Sequence, residues 1–154
     1  MNRNTGMNAG QIIGTMGGKQ VFGLDIAKHV FQLHTVDMST GEIANVQIKR
    51  AKVLEHFVNK PKSLIAMEAC GGAHHWAREL GKLGHEVVLI PPQYVKAYVG
   101  RGKNDAADAA AICEAMSRPR IRRLFVPVKS VDQAAAQMLL GTRESLVRRR
   151  TQLS

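Results

Sequence analysis

The chain has 154 residues, of which 45% are hydrophobic and 22% are charged. This composition is typical of one globular domain and excludes a disordered or fibrous protein, and the length suffices for a hydrophobic core. The 22 Lys and Arg residues outnumber the 12 Asp and Glu residues, and the resulting net charge of +10 favours polyanionic partners. Cys70 and Cys113 form no CxxC pair, so we expect neither a disulfide framework nor a zinc ribbon.

The N-terminal segment carries no targeting signal that we can identify. Residues 1–20 contain five glycines and little hydrophobic periodicity, which predicts a flexible lead-in without a signal-peptide core. No apolar run approaches the roughly 18 residues of a membrane span. We therefore expect a cytoplasmic protein that does not associate with a membrane.

Five short apolar runs predict β-strands in the first 90 residues. Residues 21–26 form the first run, with Asp25 near its end. Residues 30–36 and 43–48 alternate around a turn at Ser39, Thr40 and Gly41, which predicts an antiparallel meander. The fourth run, residues 64–67, ends at Glu68, and the fifth covers residues 87–90.

The intervening segments predict helices. Residues 52–58 form a short one, and residues 73–83 form a crossover helix with Gly84 at its C-terminal end, so the fourth and fifth strands run parallel. Residues 105–116 form an alanine-rich helix that Pro119 stops, and a long helix runs from about residue 130 to the end. We predict an α/β fold with a mixed sheet of three antiparallel meander strands plus two parallel strands.

Four acids along this framework suggest a metal site. Asp105 and Asp108 stand at i and i+3, so they share one helix face, where a cation would relieve their mutual repulsion. Asp25 and Glu68 lie at the ends of predicted strands, where a rigid backbone would hold their carboxylates in position. Carboxylates suit Mg²⁺, and four of them suit two ions about 4 Å apart that catalyse phosphoryl transfer. Each acid alone is more often a cap or turn residue, so the hypothesis depends on the set.

Basic residues suggest where a polyanion would lie. Nine of them fall between residues 118 and 154 against Asp132 and Glu144, although such a run also suits a solvated face. Aromatic and basic residues alternate ahead of Asp105, at Tyr94, Lys96 and Tyr98 and at the cations that follow them. This pattern suits base stacking and phosphate binding, and it equally suits an ordinary amphipathic helix. Lys28 and His29 lie in a predicted turn. The predicted nucleic-acid-binding residues are Lys28, Arg101, Lys103, Arg148, Arg149 and Arg150.

Cys70 and His74 form a C-x₃-H pair, the spacing of a zinc half-site or of a thiol with its base. No second pair completes a zinc site, and the adjacent Gly71 and Gly72 favour a loop that approaches a ligand through its backbone. We therefore expect neither zinc binding nor cysteine chemistry at this pair, and we expect Trp76 to lie in the core.

Four blocks of sequence, in this order, resemble the DEDD insertion-sequence transposases, which include the Piv-type DNA invertases. The blocks are GLDIAK (23–28), MEACGGAHHW (67–76), GHEVVLIPP (84–92) and KNDAADA (103–109). The similarity covers about residues 21–153. It implies a ribonuclease-H/RuvC-like N-terminal domain at residues 21–128, whose DEDD acids are Asp25, Glu68, Asp105 and Asp108, with Mg²⁺ or Mn²⁺ as cofactor.

The resemblance further implies a basic helical arm that begins at residue 129, and a C-terminal domain with a catalytic serine, before which the chain stops. We therefore expect a fragment that is incomplete for full activity. The implied partners are DNA, a guide (bridge) RNA and a second copy of the chain through the C-terminal helix. Two hypotheses stay open: a catalytic domain that cleaves and transfers DNA strands through Mg²⁺, or a non-catalytic nucleic-acid-binding module with structural ions.

Overall fold

The computed structural model describes residues 20–37, 40–99 and 105–152, and the side chains of residues 105 and 106 are not among the features described. The predicted lead-in lies outside the described residues except for Gln20, and the predicted nucleic-acid-binding residues Arg101 and Lys103 lie outside them too. Within these ranges, no helix combines the length and apolar character needed to cross a membrane.

The described strands form one mixed sheet in the order β3-β2-β1-β4-β5. They are β1 (Gln20–Ile26), β2 (Val30–Asp37), β3 (Ile43–Lys49), β4 (Leu64–Glu68) and β5 (Glu86–Ile90). The first three pair antiparallel, whereas β1 pairs parallel with β4, and β4 with β5. The predicted sheet of three meander strands and two parallel strands is thus confirmed.

The helices are α1 (Val53–Val58, after a 3₁₀ turn at Arg50–Lys52), α2 (Ala73–Lys82), α3 (Pro92–Lys96), α4 (Asp105–Ser117), α5 (Pro119–Arg122) and α6 (Val131–Gln152). Gly84 follows the end of α2 with a φ of 89°, as the sequence predicted for the end of that helix. The short helices α3 and α5 were not predicted. Each begins at a proline, because the first residue of a helix needs no N–H donor. Pro119 therefore begins α5, and α4 ends before it at Ser117.

The sheet separates two hydrophobic cores, and side chains along β1 alternate between them. Phe22 and Leu24 pack with α1 and α2, in a core that includes Trp76, as the sequence predicted. Val21, on the opposite face, packs with residues of α4 such as Ile112. This alternation follows from the period of two residues in an extended strand, and it decides which polar side chains face α4.

The long helix α6 leaves its apolar residues exposed among the described residues. Met138 is 75% exposed, Leu139 is 73% exposed and Leu146 is 60% exposed. The sequence correctly predicted a long helix in this region, whereas the pairing of this helix with a second copy stays a prediction.

Candidate metal centre

Asp25 and Glu68 lie at the carboxyl ends of two adjacent parallel strands. The register pairs Leu24 of β1 with Met67 of β4, and one further residue along each strand brings Asp25 level with Glu68. Neighbouring strands lie about 4.8 Å apart. Both carboxylates are half-buried. Two side chains that are far apart in sequence therefore become neighbours at one edge of the sheet.

The same two side chains belong to the face of the sheet that α4 covers. Asp25 lies two residues beyond Gly23, above which α4 passes, and Glu68 lies two residues beyond Ala66, which packs in the core on the α4 side. Because side chains two residues apart on a strand point to the same face, both acids face α4.

Gly23 is the point of closest approach between β1 and α4. A Cβ atom at this position would lie 2.3 Å from the carbonyl oxygen of Ala109 and 2.8 Å from Sγ of Cys113. Only glycine admits the helix at this distance. The close approach holds α4 against β1 at Ala109, one residue after the half-buried Asp108.

Asp105 begins α4 one turn before Asp108, but its side chain is not described. The described part of the chain contains no group of three or more His, Cys, Asp and Glu side chains placed to hold a metal ion. Asp25, Glu68 and Asp108 are all described, and they do not form such a group, although Asp25 and Glu68 share one edge and one face with the helix that carries Asp108. A ligand set that includes Asp105 stays a prediction.

The donor atoms in this region suit a hard cation. Carboxylate oxygens are the ligands that Mg²⁺ and Mn²⁺ prefer, whereas zinc favours nitrogen and sulfur. The thiol of Cys113 packs in the core on this face, and burial raises its pKa to about 12. The thiol therefore stays neutral, and it donates a hydrogen bond to the carbonyl oxygen of His34 at 3.6 Å. Cys113 packs against Gly23 and is not a metal ligand in this arrangement.

Cys70 and His74 have separate environments. Cys70 is exposed, whereas His74 is buried and its Nδ1 accepts a hydrogen bond from the backbone N–H of Lys129 at 3.1 Å. Burial lowers the pKa of His74, and the positive charges of Lys129 and Arg78 lower that pKa further. A neutral His74 therefore connects the start of α2 to the segment before α6.

The predicted nucleic-acid-binding residues within the described ranges all lie at the surface. Lys28 and His29 are exposed between β1 and β2, where the sequence placed a turn, and Arg148, Arg149 and Arg150 are exposed near the end of α6. Their binding roles stay predictions. Arg50 was not among the residues predicted from the sequence, and its guanidinium lies over the rings of Phe31 and Trp76. The one available signal was the basic sequence Lys49-Arg50-Ala51-Lys52, which by itself suggests only a solvated surface.

Comparisons with known proteins assign the family. A family model described as Transposase, for DEDD transposases of the IS110 type, matches residues 22–154. A Sinorhizobium fredii protein named as a transposase is 56% identical over 132 residues, which are 86% of this chain and 34% of that protein. A Pseudomonas aeruginosa protein named as a family 20 transposase is 56% identical over 131 residues, 85% of this chain and 38% of that protein.

The transposase for insertion sequence element IS1111A of Coxiella burnetii is 44% identical over 134 residues, 87% of this chain and 36% of that protein. The chain thus spans about a third of the length of the curated relatives it matches. A solved structure, Thermus thermophilus RuvC in complex with Holliday junction substrate, matches with a TM-score of 0.44 and 16% identity over 63% of this chain and 91% of that chain. The match of the family model to residues 22–154 shows that the chain belongs to the DEDD insertion-sequence transposases of the IS110 type.

Proposed function

We propose that the chain is the N-terminal metal-binding domain of a DNA transposase, with Mg²⁺ held by Asp25, Glu68, Asp105 and Asp108 during DNA strand cleavage and transfer. The observation that carries the proposal is the register of β1 and β4, which makes Asp25 and Glu68 neighbours on the face that α4 crosses. This register places two half-buried carboxylates at one sheet edge, beside a helix whose first turn carries Asp105 and Asp108.

The chemistry divides between the ion and the protein. Bound Mg²⁺, for which Mn²⁺ can substitute, would supply positive charge to the reacting phosphate and an activated attacking oxygen. The protein would hold the carboxylates in place, because β1 and β4 are interior strands of the sheet and α4 packs closely against β1 at Gly23. Lys28, three residues after Asp25, would contact a neighbouring phosphate of the DNA backbone.

The remaining basic residues would extend this contact. Arg101 and Lys103 precede α4 in the sequence, and Arg148, Arg149 and Arg150 are exposed near the far end of α6. In the whole transposase we propose that a guide RNA directs the reaction, that a serine in a further domain completes the chemistry, and that the exposed apolar residues of α6 pair with a second copy. Light scattering of the chain and of Leu139→Glu tests the last point: a monomeric wild-type chain rejects it.

Metal titration tests the metal site directly. Calorimetry with Mn²⁺ should show binding to the wild-type chain and at least a tenfold loss of affinity, about 1.4 kcal/mol, in Asp25→Asn and Glu68→Gln. The control is Asp132→Asn, which removes an exposed acid from α6. Equal binding by the control and by both acid variants would refute the metal site.

A second experiment separates a catalytic domain from a nucleic-acid-binding module whose ions are structural. In the complete transposase, Asp105→Ala should abolish recombination and leave RNA binding intact if the acids act in strand transfer. Joint loss of recombination and RNA binding supports the module instead. The proposal of a catalytic domain predicts the first result.

A further inference from the structure

A basic cleft lies beside the hairpin that joins β1 to β2. It has a volume of about 610 Å³ and is lined by Lys28, His29, Val30, Lys49, Arg50, Ala51 and Trp76; we name it the Arg50 cleft. The end of β1, the start of β2 and the end of β3 meet here. The cleft is therefore at the same end of β1 as Asp25.

Arg50 is held in a fixed position within the cleft. Its guanidinium carbon lies 5.5 Å from the centre of the Phe31 ring and 5.3 Å from the centre of the Trp76 ring. Its Nη1 donates a hydrogen bond to the carbonyl oxygen of Ala27 at 3.4 Å, and its backbone N–H donates to the carbonyl oxygen of His29 at 2.9 Å. The guanidinium is thus preorganised before any ligand binds, which lowers the entropic cost of binding.

Within the described ranges, no ion pair joins an acidic side chain to Lys28, Lys49 or Arg50 of the cleft. Of the ion pairs among the described residues, one lies nearby, between Lys52 and Glu55 at 2.6 Å. A guanidinium has five N–H donors, and the described contacts of Arg50 use one of them. Three cations around one concave surface repel one another, and an anion with several acceptor oxygens relieves that repulsion.

The shape of the cleft favours a phosphate backbone over nucleic-acid bases. Trp76 is only 6% exposed and Phe31 is fully buried, so neither ring offers an open face on which a base could stack. The planar fork of a guanidinium matches the oxygens of a phosphate, and flanking lysines add charge without sequence preference. The contacts available here are therefore those of backbone binding.

We propose that the Arg50 cleft binds phosphates of the nucleic-acid strand that passes the four acids. Arg50 bonds to the carbonyl of Ala27, two residues beyond Asp25, and Lys28 is one residue further. The cleft is lined by Trp76, which belongs to the core opposite α4, whereas Asp25 faces α4, so a strand that contacts both passes around this end of the sheet. At about 3.5 Å per residue, and with successive phosphates of one strand about 3.4 Å apart, the cleft is within a few nucleotides of the acids. The inference rests on the nucleic-acid partner of the proposed function, and it does not depend on the metal.

The test compares two double variants that remove the same charge. Lys28→Gln/Lys49→Gln alters the cleft, and Lys62→Gln/Lys82→Gln removes two exposed lysines that lie outside the cleft lining. Fluorescence anisotropy with labelled single-stranded DNA and RNA of one sequence, over a range of salt and with EDTA present, measures affinity without metal. The thermal midpoint of each variant should match that of the wild-type chain, since all four lysines are exposed.

The cleft variant should lose at least about tenfold in affinity for DNA or RNA. The negative slope of log K against log salt should become shallower by about 1.4, which corresponds to two phosphate contacts on a single strand. The control variant should keep the wild-type slope. Arg50→Lys retains the charge but loses the planar fork, so its affinity should lie between those of the wild-type chain and Arg50→Gln.

Trp76 is the single tryptophan of the chain, so its emission reports on the cleft. Titration with an oligonucleotide should change this emission in the wild-type chain and leave it unchanged in the cleft variant. Indistinguishable affinities and slopes for the two double variants would overturn the inference, as would equal affinity for a phosphate-free polyglutamate peptide. Absence of Mn²⁺ binding alongside a cleft-dependent slope would instead refute the metal site alone.

Discussion

Replacement of Gly23 by alanine tests whether the contact between β1 and α4 positions the acids. The added Cβ would lie 2.3 Å from the carbonyl oxygen of Ala109, whereas real Cβ contacts essentially never fall below 3.0 Å. The blocking atom belongs to the backbone, so no change of side-chain rotamer relieves the contact. The backbone of α4 or of β1 must therefore shift, and we expect this shift to move α4, with Asp108, relative to β1.

We expect Gly23→Ala to destabilise the fold by about 1–3 kcal/mol, the usual range for overpacking a core. For a domain of this size, each kcal/mol lowers the thermal midpoint by about 2–4 °C. Because the shift also separates Asp108 from the strand that carries Asp25, the affinity for Mn²⁺ should fall by at least about tenfold. Urea denaturation followed by circular dichroism measures the first effect, and calorimetry with Mn²⁺ measures the second.

Gly81 provides the matched control. It lies within α2, and a Cβ built on it meets nothing within 4 Å. Gly81→Ala should therefore stabilise the protein by about 0.5–1 kcal/mol, as expected for alanine in place of glycine inside a helix. A Gly23→Ala variant with wild-type stability and wild-type Mn²⁺ affinity would refute the argument that this contact places α4.

Two further predictions concern buried groups. Lowering the pH from about 8 to about 5 should reduce the free energy of unfolding. The pKa of His74 is lowered in the folded chain, so the unfolded chain binds a proton first as the pH falls through about 6.5. His74→Asn should flatten this pH dependence, and a curve unchanged from that of the wild-type chain would contradict the prediction. A thiol reagent at about pH 8 should modify Cys70 rapidly and Cys113 only on unfolding, since burial raises the pKa of Cys113 to about 12. Cys70→Ser should abolish the rapid phase of modification. Equal rates for the two cysteines would show that burial does not protect Cys113.

Much of the fold follows from local patterns in the sequence. The run at residues 21–26 and the alternation in residues 30–36 predict strands because an extended chain turns its side chains to opposite faces. Glu68 and Asp25 are recognisable as strand ends because polar residues interrupt buried runs there. The helices α3 and α5 were not predicted, because each is shorter than the sequence window needed to detect helical periodicity.

The contacts around the site were not predictable in the same way. The glycine at position 23 is part of a short apolar run, and nothing near it in sequence reveals that Ala109 packs against it. The bond between His74 and Lys129 joins residues 55 positions apart. Arg50 follows a strand as an ordinary surface cation, and its two aromatic neighbours come from β2 and α2.

The sequence by itself determined the order and kind of the main elements, the residue types suited to a hard cation and the excess of positive charge. Only the tertiary structure decided that Asp25 stands level with Glu68, that both face α4, and that three cations gather at the Arg50 cleft. The reason is physical: periodicity and turn chemistry act between residues close in the chain, whereas strand register and helix docking arise from packing between segments that the sequence keeps apart.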